Sequence, residues 1–371
     1  MTATTANLTS GPALNASLRT LAHQAEQADQ DALWPTAALA ALQAAQVPRW
    51  AIPRDADGWG LPLRELLLGY EAIGQACLTT AFILSQREAA VRRLCVSRDR
   101  PLADELLPPL ARGELWTSVG VAQLTTSRQH LGPTLKARRT SGGIVLEGFV
   151  PWVTGAAHSD VLLLGAVDAQ GDPMIVGVDA DAPGLRIEEP MDLLALRGSC
   201  TSLVWCEGVA VKPHEILEDR PERIRTGDGA GGLTTSCLAL ALMGAALQHL
   251  RVESEHRVDL KEPLQRLQAR HQRLRSRMLS LAEASNPAAA ELTGLRAAAT
   301  EAALRSTQTL LTLCKGAGYV RPHPAQRWAR QALFFLVWSC PKAIGEQIVD
   351  RMLAFGADRA DGTAKPAADG S

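Results

Sequence analysis

Apolar residues fall at helical spacing through the first third of the chain. Leu18, Leu21, Ala25 and Ala28 mark one stripe, and Pro35 stands where a helix can start ahead of Leu39 and Leu42. The run 53–60, with Pro53, Asp55, Asp57, Gly58 and Gly60, breaks the pattern. Two further helices are predicted at about 64–75 and 79–95, so residues 14–114 read as helical. Near Leu115 the period changes. Short β-branched runs at 143–147, 160–164, 174–178 and 202–205 lie between Gly, Pro and Asp turns, the spacing of a small antiparallel barrel or sandwich. Beyond a Gly-rich linker at 227–232, helices are predicted at 233–256, 263–284 and 288–314. The first and third are rich in Ala and Leu, as buried bundle helices are. From about Gly356 the residues are small and polar and predict a disordered tail. Helices, then strands, then helices give an α+β chain, divided at 1–115, 116–230, 231–355 and 356–371.

Composition narrows the function classes. The 371 residues are enough for two or three structural units around a large core. With 46% apolar and 21% charged residues the chain reads as ordinary soluble globular protein. A net charge of −1, with Lys and Arg spread along the chain, gives no nucleic-acid footprint. No run of about 18 apolar residues points to a membrane span, and the Thr/Ala/Ser-rich start lacks the basic and apolar regions of a secretory signal. Seven scattered cysteines without a CxxC pair fit reduced thiols in a cytoplasmic protein and argue against a metal site.

One C-terminal segment carries the most chemistry. Gly316, Gly318 and Tyr319 are followed by Pro324, Arg327 and Arg330, and then by Ser339-Cys340-Pro341. These offsets resemble, without a gap, the flavin-binding and catalytic segment of the acyl-CoA dehydrogenase family. Four more segments agree. Pro53 to Gly60 resembles the family's Gly-rich turn after its second helix. Gly148, Trp152, Thr154 and Ala156, followed by Ser159-Asp160, resemble the Gly-x-Lys-x-Trp-Ile-Thr-x-Ala signature of its β domain. Arg197, Ser199 and Thr201 resemble the segment that closes that domain, and Arg257 with Leu264, Gln268 and Leu274 resembles an Arg-led helix start. The resemblance spans about Leu14 to Leu353 and implies an N-terminal helical domain, a middle β domain and a C-terminal four-helix bundle.

It also implies a bound flavin, FAD, with FMN left open. In the family the Trp at position 152 packs on the isoalloxazine and the Thr at 154 reaches flavin N5; taken alone, the two read as a core Trp and a strand Thr. Arg257 stands where a family Arg contacts the FAD diphosphate, a role suited to a bidentate guanidinium, though on sequence alone a solvated helix-end Arg fits equally. Gly316 and Gly318 would let the backbone approach a nucleotide closely. The departures are Leu260-Lys261 in place of Phe-Gly, Thr312 in place of a Gln, and Lys315 in place of the first Gly. The family's substrate-facing loop is replaced by 122–130, whose Thr125, Thr126, Ser127, Arg128 and His130 are candidate substrate-loop residues or an exposed polar loop.

The family's catalytic Glu is absent, and Ser339 stands in its place. Dehydrogenation of a thioester needs a base for the α-proton as a hydride leaves the β-carbon, and a neutral serine hydroxyl is far too weakly acidic to ionise and act as that base unaided. Thr234 occupies the alternative position known in part of the family, and Glu346 lies about 10 Å further along a helix. His323 and His130 are the remaining candidates, His323 also fitting a structural role. Three readings stay open. One is a flavin oxidoreductase acting on an acyl-type substrate, CoA-linked or carrier-bound, with another base. The second is a flavin monooxygenase of the same superfamily, and the third is a non-catalytic relative that binds a ligand or partner. The Ala/Leu-rich C-terminal helices predict a homodimer or homotetramer, with no nucleic-acid or membrane partner.

Overall fold

The computed structural model describes residues 11–97, 100–125, 133–220 and 229–354. Five helices come first: α1 (Pro12–Gln30), α2 (Thr36–Ala44), α3 (Leu63–Ala76), α4 (Leu78–Val96) and α5 (Pro101–Arg112). Proline opens α1 and α5, where its missing N–H costs nothing. Gly113, at φ +70°, closes α5 in the left-handed conformation that a side chain disfavours. The apolar stripe of α1 faces inward through Leu14, Leu21, Ala25 and Ala28. In α4, 13 of the 19 positions are buried and Val96 alone is exposed, so its apolar residues form no single stripe.

The middle of the chain holds β1 (Thr117–Gly120), a short helix α6 (Ala122–Thr125), β2 (Leu135–Thr140), β3 (Gly143–Thr154), β4 (Val161–Val167), β5 (Pro173–Asp179), β6 (Leu185–Ile187), β7 (Thr201–Val211) and β8 (Ile216–Glu218). The strands run in the order β6-β7-β3-β2-β4-β5-β8, with β1 beside β4. The two halves join at a single register pair, Lys136 with Val167. Leu146, Val150 and Val204 of one half share a core with Leu162, Leu164 and Val176 of the other, so the sheet folds onto itself as a sandwich. The expectation of a purely antiparallel sheet is corrected at two places, because β1 and β2 each pair parallel with β4. A parallel neighbour requires a long crossover, and the β2–β3 hairpin lies inside the one from β1 to β4.

Among the described residues, five helices follow: α7 (Gly229–Ser254), α8 (Lys261–Glu283), α9 (Ala289–Tyr319), α10 (Pro324–Phe334) and α11 (Lys342–Leu353). Helix α7 packs against α9, α8 and α3, and its Leu238 and Leu242 enter the same core as Leu67, Leu295 and Phe335. Residues Leu233–Ser254 form a helix that passes for a membrane span by length and composition, with a window of mean hydropathy 1.4, although Thr, Ser, Gly, Gln and His interrupt its apolar residues. That window is 83% buried inside the fold, so its apolar surface is met by neighbouring helices. The predicted tail from Gly356 lies outside the described residues.

Candidate functional site

Trp152 is the most unusual residue of the sandwich. It sits at φ +64°, in a register shift of the β3–β7 ladder between Val150 and Val153. The extra residue turns its ring out of the core, and the side chain is 55% exposed. A bulky aromatic at positive φ is costly and is kept where the surroundings impose it. Two residues on, the buried Thr154 hydroxyl lies 3.1 Å from that of Thr201, which lies 2.9 Å from that of Ser199. Gly155 (φ +62°) then turns the chain, its N–H reaching the Ser199 and Cys200 carbonyls. A Cβ at 155 would strike the Trp34 ring at 2.6 Å. Trp34 stacks on His158 with centroids 4.5 Å apart, and partial desolvation lowers the His158 pKa. An exposed aromatic ring thus stands two residues before a buried line of hydroxyls.

The substrate-loop candidates are only partly within view. Thr126, Ser127, Arg128 and His130 lie outside the described residues, and of Thr125 only the backbone, at the end of α6, is described. Gln123 anchors that helix by donating to the Gly165 carbonyl.

The C-terminal motif splits into two ends. At its start, α9 is broken at Lys315, whose φ of 53° and ψ of −146° lie outside helical space. Arg257 donates to the freed Leu313 carbonyl at 2.9 Å and pairs with Asp259 at 2.8 Å, which lowers the Asp259 pKa. A Cβ on Gly316 would meet open space, whereas one on Gly318 would strike the Cβ of Cys314 at 2.6 Å, so Gly318 has a packing reason of its own. His323 caps α10, its Nδ1 accepting from the Ala325 N–H at 3.2 Å. Ser339 follows the other end of α10. That helix has 11 residues and is about 16 Å long. The helix thus separates His323, which precedes it, from position 339, which follows it.

Ser339 is exposed, at φ +45°, in the turn before α11. Behind the turn, the buried Arg296 donates to the carbonyls of Phe335 and Trp338, each at 3.0 Å, and contacts Thr300. Burial pushes its pKa down to about 10. Phe82 of α4 packs edge-on against Phe334 (4.7 Å) and Trp338 (5.0 Å), walling the same turn with aromatics. Thr234 is buried in the first part of α7. The two motif arginines are held by α1: Arg327 pairs with Glu26 and Arg330 with Asp29, each at 2.7 Å. Asp29 also accepts from Leu196 N–H (3.0 Å) and Gln331 (2.8 Å). Sequence reasoning missed Arg296, Phe82 and Asp29. The one available signal was a lone Arg in the Ala-rich run after Leu295.

No family model matches the chain. A Bacillus subtilis protein described as a probable acyl-CoA dehydrogenase, YngJ, is 23% identical over 90% of this chain and 93% of its own length. Among solved structures, the Micromonospora carbonacea nitrososynthase superposes with a TM-score of 0.81 at 19% identity, covering 95% of this chain and 96% of its own. A Mycobacterium smegmatis glutaryl-CoA dehydrogenase, solved in complex with FADH2, does so with a TM-score of 0.78 at 16% identity, covering 93% and 95%. At these identities the structural likeness shows a shared fold.

Proposed function

Taking the chain as a divergent member of the acyl-CoA dehydrogenase superfamily, which its full-length sequence similarity and shared fold support, we propose that it is a flavin-dependent oxidoreductase. The observation that carries this reading is Trp152, strained and half-exposed beside the Thr154 hydroxyl. These residues fit the tricyclic ring of FAD or FMN, which when bound supplies a two-electron acceptor. Trp152 offers it a flat face and Thr154 a hydroxyl donor. Gly316 and Gly318, and an Arg257 released from Leu313 and Asp259, are the proposed contacts for the rest of the cofactor. The absorption spectrum of the purified protein, with the released cofactor identified by chromatography, tests this; colourless protein that takes up neither FAD nor FMN overturns it.

The substrate we assign is an acyl compound, CoA-linked or carrier-bound, oxidised without the usual carboxylate. Ser339 holds its hydroxyl where a base is needed and cannot retain a proton taken from carbon. Ser339→Glu is then expected to speed anaerobic bleaching of the flavin by acyl-CoAs, by up to the roughly 10²- to 10⁴-fold that a placed base contributes. An unchanged rate, or fast bleaching of the wild type, counts against this assignment. The missing carboxylate also favours a second reading, oxygen insertion, since a monooxygenase needs no such base and one neighbour is a nitrososynthase. Oxygen uptake by the reduced protein in the presence of an amine substrate, with no bleaching by any acyl-CoA, selects it. We further propose a homodimer or homotetramer built through the C-terminal helices, where Val337, Val349, Met352 and Leu353 are exposed. Light scattering at the monomer mass of 39.6 kDa would refute that.

A further inference from the structure

Beside the break in α9, three side chains from three elements converge. They are His249 of α7, Cys314 at the last residue before Lys315, and His323 ahead of α10. One ligating atom from each lies within 4.8 Å of the others. The His249 and His323 rings meet edge-on at 5.1 Å, and Trp328 covers His249 on another side at 5.8 Å. Nε2 of His249 is buried and makes no hydrogen bond with any described residue. An orphaned, buried imidazole nitrogen on a ring clustered with a thiol and a second imidazole is a costly arrangement unless something binds there. Glu253 follows His249 by one helical turn on the same face of α7, and its charge acts on both His249 and Cys314.

We propose that His249, Cys314 and His323 form a binding site for a thiophilic divalent metal, with Zn2+ as the fitting ion and Glu253 or solvent as the fourth ligand. Imidazole and thiolate are both established zinc donors, with bonds of about 2.0–2.3 Å, and the same three groups could also take copper, which the metal assay distinguishes. Ligands on such bonds stand roughly 3.5 Å apart, so side-chain rotations of about 1 Å close the site. Neither a Cys pair nor a fixed His spacing announces it, because each ligand comes from a separate helix or turn. That is why the scattered cysteines read as metal-free.

The proton balance is simple. Cys314 loses its thiol proton to solvent. In the ring of His323, where Nδ1 now accepts from Ala325, metal at Nε2 moves the remaining proton to Nδ1 and gives up that 3.2 Å contact. The bound ion would tie α7, the end of α9 and the start of α10 around the strained Lys315. The site adjoins Gly316 and the Leu313 carbonyl held by Arg257, but its occupancy is read without any flavin signal.

The test uses the full-length protein under reducing conditions. Wild type is loaded with Zn2+, desalted and assayed for metal per chain, and Co2+ is substituted to look for a thiolate-to-cobalt absorption band. One metal per chain and a band that Zn2+ abolishes are expected. Cys314→Ser should weaken Zn2+ binding by more than about 100-fold, since even an outer partner of a metal-bound His is worth about 10- to 100-fold. A second measurement needs no variant: alkylation of each cysteine, followed by mass spectrometry. At Zn2+ about 100 times the dissociation constant, Cys314 should react about 100-fold more slowly, while the half-buried Cys95 and Cys340 serve as internal controls. Wild type that retains no metal, Cys314 and Cys340 unaffected alike by Zn2+, or a cobalt thiolate band that survives in a folded Cys314→Ser variant would each overturn the proposal.

Discussion

At the scale of single residues, cost and exposure coincide at Trp152. Its left-handed backbone costs on the order of 1–3 kcal/mol, and its exposed ring recovers little of that by burial. Trp152→Gly is therefore expected to leave the ligand-free protein as stable as wild type, or more stable by about 1 kcal/mol, while flavin retention falls. Urea denaturation beside a cofactor count checks both; a clear loss of stability would show that the ring packs for the fold's own sake. Trp152 was legible in the sequence because its neighbours form a recognisable signature. Arg296 and Asp29 were not. Each is a buried charge whose partners are main-chain atoms or residues far along the chain, and periodicity says nothing of those.

At the scale of elements, the hydrophobic period located α1 to α4 and α7 to α9, because burial on one face is what repeats, but it did not single out α5, α6, α10 or α11. It even ended the third C-terminal helix at 314, one residue before the break at Lys315. It did not show that a helical turn resumes at once through Tyr319, which depends on Arg257 taking up the Leu313 carbonyl. Nor did it show the parallel partners of β4, since pairing direction leaves no mark on alternation. Close helix approach was equally silent. Gly74 lets α3 approach α7, and a Cβ there would lie 2.8 Å from that of Ala241. Gly74→Val forces the two helices apart and should cost about 1–3 kcal/mol, read as a lower denaturation midpoint with the same slope. A neutral result would mean that the seam is looser than these distances require.

At the scale of the whole molecule, desolvated imidazoles make stability depend on pH. Partial desolvation against Trp34 lowers the pKa of the otherwise exposed His158, and burial lowers that of His271, more deeply placed against Leu240 and Glu71; nearby Glu71 opposes the second shift. A folded-state pKa below the ordinary 6.5 means that the unfolded chain binds protons first as pH falls. Stability is therefore full above 6.5 and declines as pH drops through 6.5 towards the folded values. Denaturation at pH 7.5 and 5.5 should show the loss, and His271→Gln should flatten it; an unchanged slope in that variant would remove His271 as a cause.

The ties from Glu26 and Asp29 to Arg327, Arg330 and Gln331 join positions about 300 residues apart. At about 5–20 residues per second, the arginines leave the ribosome roughly 15–60 s after α1. Throughout that interval the first helix carries a buried-type carboxylate with nothing to neutralise it. Synthesis rate, and whatever shelters a nascent chain, thus bear on yield for a protein in which α1 is completed only by α10.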